Sequence, residues 1–262
     1  MQVNQTRERL SRGETVFGSG LQVYRSSEIP RAFAAAGFDY VFIDMEHGSY
    51  DLETVYDMIA ASRQAGITPI VRVAELAYSL VARLLDSGAQ GIILPRVEDP
   101  ALLAEALSWM RFPPTGKRGY GVNPTMVGYE ARSFAEIIEH MNRNTLAVVQ
   151  FETATAMERA DELLAVPGMD IAMVGPADLS ISLGVPGQFD HPLLVSTVDR
   201  LIAKCVEHHV VPGIQTRGLA MSKFWAERGM RFVGSGAEHL MLLEKAKETV
   251  AQLRAVAAAT PA

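Results

Sequence analysis

The chain has 262 residues, 48% hydrophobic and 21% charged, enough for one large α/β unit or two small ones with a substantial core. A net charge of −6 without a basic cluster argues against nucleic-acid binding. No apolar run reaches the ~18 residues of a membrane span, the N-terminus lacks a signal peptide's apolar stretch, and the lone Cys205 excludes an intramolecular disulfide. A cytoplasmic protein is therefore expected, acting on neither membranes nor nucleic acids.

Short apolar, β-branched runs alternate with segments of helical period. Residues 15–19 read as the first strand, followed by a helix from about Ser27 with Pro30 in its first turn. Residues 40–44 form the second strand and 51–65 a helix closed by Gly66. Strand 68–73, helix 76–86, strand 90–95 and helix 100–110 continue the pattern. It breaks over residues 112–129, a proline- and glycine-rich stretch of a kind that is usually functional or lid-like. Helix 131–141 leads to a strand ending at Glu152, and a second helical run leads to a strand ending at Gly175. Helix 193–209, strand 210–215, helix 219–228, strand 231–235 and helix 238–256 complete the chain. Eight strand-then-helix units predict one (β/α)8 (TIM) barrel over residues 1–262, with about ten N-terminal and about six C-terminal residues fraying. An open doubly wound sheet fits less well, because no Gly-x-Gly-x-x-Gly turn follows the first strand.

In such a barrel the carboxyl ends of the strands carry the chemistry. The second strand delivers Asp44, Glu46 and His47, the third Arg72, the fourth Arg96, and the seventh Gln215 and Arg217. The fifth and sixth deliver Gln150, Glu152 and Asp178. Two carboxylates facing one cavity repel each other unless they share a proton or a cation. Glu152 and Asp178 therefore read as ligands of a hard divalent metal, or else as helix-capping acids. His47 is the one histidine of six at a strand end, placed as a proton shuttle or bonded to a loop carbonyl. None of the five lysines stands at a strand end, which speaks against imine chemistry.

Several motifs recur in a familiar order: Asp44-x-x-His47, Pro-x-Val-Arg72, Leu-Leu-Asp86-x-Gly-Ala-Gln, Phe-Pro-Pro-x-Gly-x-Arg118-Gly, Gln150-x-Glu152-Thr, Gly175-Pro-Ala-Asp178-Leu-Ser and a closing Gly-x-x-Phe-Val-x-x-Gly. Over roughly residues 10–255 the chain resembles the HpcH/HpaI aldolase family, the metal-dependent class II pyruvate aldolases. The resemblance implies a Mg2+, Mn2+ or Co2+ ion on Glu152 and Asp178, and a homohexamer that exchanges its eighth helix. It implies Arg72 polarising the pyruvyl keto oxygen, and the N–H groups of Ala177 and Asp178, beside Gly175, holding the pyruvyl carboxylate. Gln150 would position the substrate, and His47, oriented by Asp86, would be the general base. The implied reaction is cleavage of a 4-hydroxy-2-oxo acid to pyruvate and an aldehyde, and its reverse.

Two departures are visible: Asp44-Met-Glu-His47-Gly where relatives tend to read Asp-Gly-Glu-His-Ala, and Gly213-Ile-Gln215-Thr-Arg217 where they tend to read Gly-Ile-Leu. Asp44, Arg118 and Gln215 join the site as secondary candidates, and Arg118, Tyr120 and Arg217 suggest a polar or anionic acceptor. Three other readings remain: an acyl-CoA/citrate-lyase-type enzyme, a phosphosugar barrel using Gly234-Ser235-Gly236, and a non-catalytic barrel subunit.

Overall fold

The computed structural model describes residues 1–259. Eight parallel strands close in sequence order: β1 (Val16–Leu21), β2 (Tyr40–Asp44), β3 (Thr68–Arg72), β4 (Gly91–Leu94), β5 (Leu146–Phe151), β6 (Ile171–Val174), β7 (Val211–Thr216) and β8 (Phe232–Ala237). β8 pairs with β1, so no sheet edge remains. The doubly wound alternative is thereby excluded.

Side chains alternate along each strand. Inward positions of the lower barrel, Tyr40, Phe42, Ile70, Ile93, Val148, Ile171, Met173 and Phe232, form a sealed interior cluster. Tyr40 and Phe232 stack there at 4.0 Å between ring centroids. Gly18 makes room for them, since a Cβ on it would lie 2.3 Å from the Tyr40 ring. Outward positions such as Val41, Val71, Val149 and Val174 pack beneath the helices in a second, larger cluster. The same alternation sets the top inward layer: Asp44, Arg72 and Gln150 each continue an inward-facing row, so the barrel plug turns polar at its mouth.

The opening residues differ from expectation. They form α1 (Gln5–Ser11), capped by the Asn4 side chain, which accepts from the Arg7 N–H at 3.0 Å. Asn4, Thr6 and Leu10 are buried, and Leu10 joins the interior cluster. One apolar residue in a polar run gives little periodicity, and the end of the barrel it packs against is not visible in a sequence.

The remaining helices are α2 (Glu28–Ala36), α3 (Leu52–Ala65), α4 (Tyr78–Asp86), α5 (Pro100–Ser108), α6 (Phe134–Asn144), α7 (Ala154–Glu158), α8 (Ala160–Leu164), α9 (Pro176–Ser182), α10 (Pro192–Glu207), α11 (Leu219–Glu227) and α12 (Glu238–Ala259). The 112–129 stretch is irregular except for a 3-10 turn, Pro124–Val127. α12 behaves unlike the others. Its start touches β1 and β8, whereas Leu242, Leu243, Leu253 and Val256 farther along are exposed. Beside its start lies an apolar groove of about 610 Å³ lined by Phe17, Phe38, Leu219, Leu240 and Met241. The tail expected to fray is helical through Ala259, and its last three residues lie outside the described residues. No helix among the described residues is long and apolar enough to cross a membrane.

Candidate active site

Asp44 and Arg72 are register partners across β2 and β3. Both point inward at the mouth, and the guanidinium meets the carboxylate in a fork: Nε donates to Oδ1 at 2.9 Å and Nη2 to Oδ2 at 2.7 Å. Asp44 is wholly buried and Arg72 is 5% exposed, so neither charge could stand here unpaired. Burial pushes the Asp44 carboxyl up, but bonds from Arg72, from Gln22 Nε2 and from the His47 N–H outweigh it, leaving it below its ordinary value.

Arg72 Nη1 also lies 2.9 Å from Glu46 Oε2 and donates to Gln150 Oε1 at 3.3 Å. Gln150 then donates from Nε2 to Glu152 Oε2, and Glu152 Oε1 accepts the Arg96 N–H at 2.9 Å. Arg96 reaches that bond with φ of 54°, a left-handed conformation unusual for a side-chain-bearing residue and characteristic of a constrained site. Its side chain closes a ring by donating to Glu46 Oε1 at 2.9 Å. At the end of β6 a Cβ on Gly175 would lie 2.8 Å from Gln150 Nε2 and 3.0 Å from Glu152 Oε2. Glycine lets those side chains pass close to the backbone.

Above this network opens a cavity of about 480 Å³. His47, Arg72, Gln150, Gly175, Ala177, Asp178 and Gln215 all line it, so most of the residues singled out in the sequence meet at one mouth. Glu152 is 2% exposed and tied to this wall through Gln150. Burial raises its pKa, and the charges of Glu46 and Asp178 raise it further. Glu152 and Asp178 thus share one field of excess negative charge. Among the described residues no three His, Cys, Asp or Glu side chains are grouped to hold a metal. Two carboxylates suffice for an ion of Mg2+ type, which keeps several positions for water and substrate. The donor set fits such an ion, and a cation there would relieve the stress on Glu152.

Two expected members lie elsewhere. Asp86 is the last residue of α4, and a helix returning against the strands ends near their amino ends, opposite the mouth. Its Oδ1 accepts from Arg118 Nη2 at 2.6 Å rather than from His47. Arg118 is 2% exposed and stacked on Phe112 with its guanidinium carbon 4.5 Å from the ring centroid, so it faces no acceptor. Tyr120 likewise packs on Phe112 and Phe134. Gln215 is held to β8 by its bond to Gly236 O at 3.0 Å. Gly234 is occupied in that packing: a Cβ there would lie 1.7 Å from Gln215 Oε1, which accounts for this glycine without a phosphate.

Glu46 and Arg96 stand at strand ends as expected but were given no role, and Gln22 and Glu238 were not singled out. Glu238, 3% exposed, accepts the N–H groups of Gln22, Val23 and Tyr24 at 3.0, 2.6 and 3.0 Å. It thereby fixes the loop that aims Gln22 Nε2 at Asp44 Oδ2, 2.9 Å away. Burial raises the Glu238 carboxyl but those N–H bonds win, and it lies below its ordinary value.

The HpcH/HpaI aldolase/citrate lyase family model matches residues 25–243. The chain belongs to that family. It is 34% identical to a hydroxypyruvate/pyruvate aldolase of Roseobacter denitrificans, over 95% of this chain and 97% of that one. It is 29% identical to a 2-keto-3-deoxy-L-rhamnonate aldolase of Salmonella gallinarum, over 97% and 94%. The crystal structure of an HpcH/HpaI aldolase from Desulfitobacterium hafniense superposes with a TM-score of 0.91 at 29% identity, covering 99% of this chain and 98% of that one. As a member of the HpcH/HpaI family the chain is a carbon–carbon lyase.

Proposed function

We propose that this chain is a divalent-metal-dependent pyruvate aldolase. It cleaves a 4-hydroxy-2-oxo acid to pyruvate and an aldehyde, and runs the reverse addition. The carrying observation is the mouth of the barrel, where Gln150 links a buried Arg72 to Glu152 beneath a cavity that Asp178 also lines. The aldolase names of the relatives agree with it, and no lysine lines the cavity to offer an imine.

Glu152 and Asp178 would hold a Mg2+, Mn2+ or Co2+ ion, which supplies Lewis-acid polarisation of a 2-oxo acid. Arg72 keeps a fixed positive charge beside the keto oxygen, where negative charge develops. Asp44 and Gln22 hold its guanidinium in one orientation. The first-turn N–H groups of Ala177 and Asp178 have no carbonyl partner within α9 and are free to take the substrate carboxylate. His47 lines the cavity with an exposed imidazole and serves as the base for the C4 hydroxyl.

The working form is a homo-oligomer. The exposed apolar face of α12 and the apolar groove beside its start complement each other, so α12 of one copy fills the groove of another. An Asp86 that orients His47 then comes from a second copy, since it lies at the far end of its own barrel.

The test is incubation of the protein with pyruvate, Mg2+ or Mn2+ and a panel of aldehydes, with mass-spectrometric detection of 4-hydroxy-2-oxo acids. Product that disappears with EDTA is the expected result. No product with any aldehyde, or turnover indifferent to EDTA, contradicts the proposal.

A further inference from the structure

We propose that Arg217 is the residue that recognises the acceptor, and that the acceptor is an aldehyde carrying an anionic group, a carboxylate in the first instance. The inference rests on the pyruvate-aldolase reading and specifies its second substrate.

Four observations carry it. First, the two arginines among the residues lining the cavity are differently engaged. Arg72 is committed to Asp44, Glu46 and Gln150, whereas Arg217 makes no hydrogen bond or ion pair among the described residues. A planar fork of N–H donors on a cavity wall matches a carboxylate or phosphate in two parallel bonds.

Second, its position follows from barrel order. The 2-oxo acid end of a substrate belongs at Arg72 and Asp178, on β3 and after β6. Arg217 follows β7, the next strand round the barrel. A molecule anchored by its keto acid therefore presents its far end to the β7–β8 wall.

Third, that wall holds no competing anion. Asp178 is the one carboxylate lining the cavity among the described residues, and it belongs to the pair that holds the ion. Glu238, which follows β8, is engaged by three backbone N–H groups. His239 lines the same wall with its buried Nδ1 3.6 Å from Glu238 Oε2, so that nitrogen faces Glu238.

Fourth, the other side chains there cannot do this work. The Gln215 amide is tied to Gly236 O with its Oε1 buried, and Ile181 and Phe189 are apolar. Discrimination between a charged and an uncharged acceptor falls to Arg217.

Arg217 also borders the apolar groove beside α12, where Glu227 and Glu244 stand. A purely assembly-related role is therefore the competing outcome. The experiment measures steady-state addition of pyruvate to succinic semialdehyde and to butanal, and to glyceraldehyde 3-phosphate and glyceraldehyde. It uses the wild-type protein, Arg217→Met and Arg217→Lys, with molar mass followed by light scattering. Arg217→Met is expected to raise KM for succinic semialdehyde by about 10- to 100-fold, the worth of a lost charge-assisted pair. KM for butanal should stay within about twofold and kcat should change little, with Arg217→Lys intermediate. The phosphate pair reports whether the fork also takes phosphate: a parallel loss there widens the class to anionic aldehydes, and no loss confines it to carboxylates. KM values for charged and uncharged aldehydes that rise together, or do not move, overturn the proposal, as does a changed molar mass without a selective KM effect. A wild-type protein that adds pyruvate to no aldehyde overturns the aldolase reading itself, and this proposal with it.

Discussion

Replacing Asp44 with Asn tests how the arginine is held. The carboxylate accepts five bonds in two sets. Oδ1 takes Arg72 Nε at 2.9 Å and the N–H groups of Glu46 and His47 at 3.0 and 3.2 Å. Oδ2 takes Arg72 Nη2 at 2.7 Å and Gln22 Nε2 at 2.9 Å. An asparagine keeps its oxygen on the first set and turns an NH2 toward the second, so that donors face donors. Removing one side of a buried ion pair costs about 3–5 kcal/mol. At about 2–4 °C per kcal/mol for a chain of this size, Tm falls by about 6–20 °C. A domain stable by about 5–15 kcal/mol still folds. With the guanidinium released, its charge no longer sits where the keto oxygen develops charge, and kcat falls by about 10²–10³. Thermal melts and a lactate-dehydrogenase-coupled assay of pyruvate release read both effects. Because the folded Asp44 carboxyl lies below its ordinary value of 3.8, the stability gap to the variant is complete above that pH and closes as pH falls through the folded value. A variant melting within about 2 °C of wild type, with turnover within about threefold, would refute the assigned role.

Excess Mn2+ at neutral pH should raise Tm by several degrees in the wild type, a bound ion at 100 times its Kd contributing about 2.7 kcal/mol. Glu152→Gln and Asp178→Asn should lose that rise, and an equal rise in either variant argues against the ligand pair. The Glu152 carboxyl is raised above its ordinary value of 4.5, so metal affinity should strengthen as pH climbs through the raised value, with proton release on binding. Calorimetric titration with Mn2+ across that range checks this, and an affinity flat with pH contradicts it. Tyr40 Oη is buried with no hydrogen-bond partner among the described residues. Tyr40→Phe should therefore leave Tm unchanged or raise it, relieving up to about 1–3 kcal/mol of unmet desolvation, and a clear fall in Tm would show that the hydroxyl is satisfied.

The barrel was legible because its signal is local. Strands are short apolar runs such as Tyr40–Asp44 or Ile171–Val174, and several helices carry a cap such as Asp51, Ser133 or Gly66 that a reader of sequence can find. The mouth was legible for the same reason: strand ends point one way in a parallel barrel, and Arg72, Gln150 and Asp178 stand at or just past them. What was not legible depends on distance and direction. Asp86 ends a helix and so falls at the opposite face of its own barrel, on Arg118, a placement that the order of motifs does not show. Arg96 gave no sign that its backbone would turn left-handed to meet Glu152. Glu238 is the first residue of a helix, as its sequence suggests, but nothing local shows that its carboxylate also anchors a loop more than two hundred positions earlier.

The central claim is that Glu152 and Asp178 hold one divalent ion that, together with Arg72, lets pyruvate lose a methyl proton. Proton NMR of pyruvate in D2O reads this directly, without knowledge of the acceptor. With Mg2+ the wild-type protein should drive loss of the pyruvate methyl signal, and EDTA, Glu152→Gln or Asp178→Asn should abolish it. Exchange that persists with EDTA or in either variant, or is absent from the wild type with Mg2+, contradicts the account.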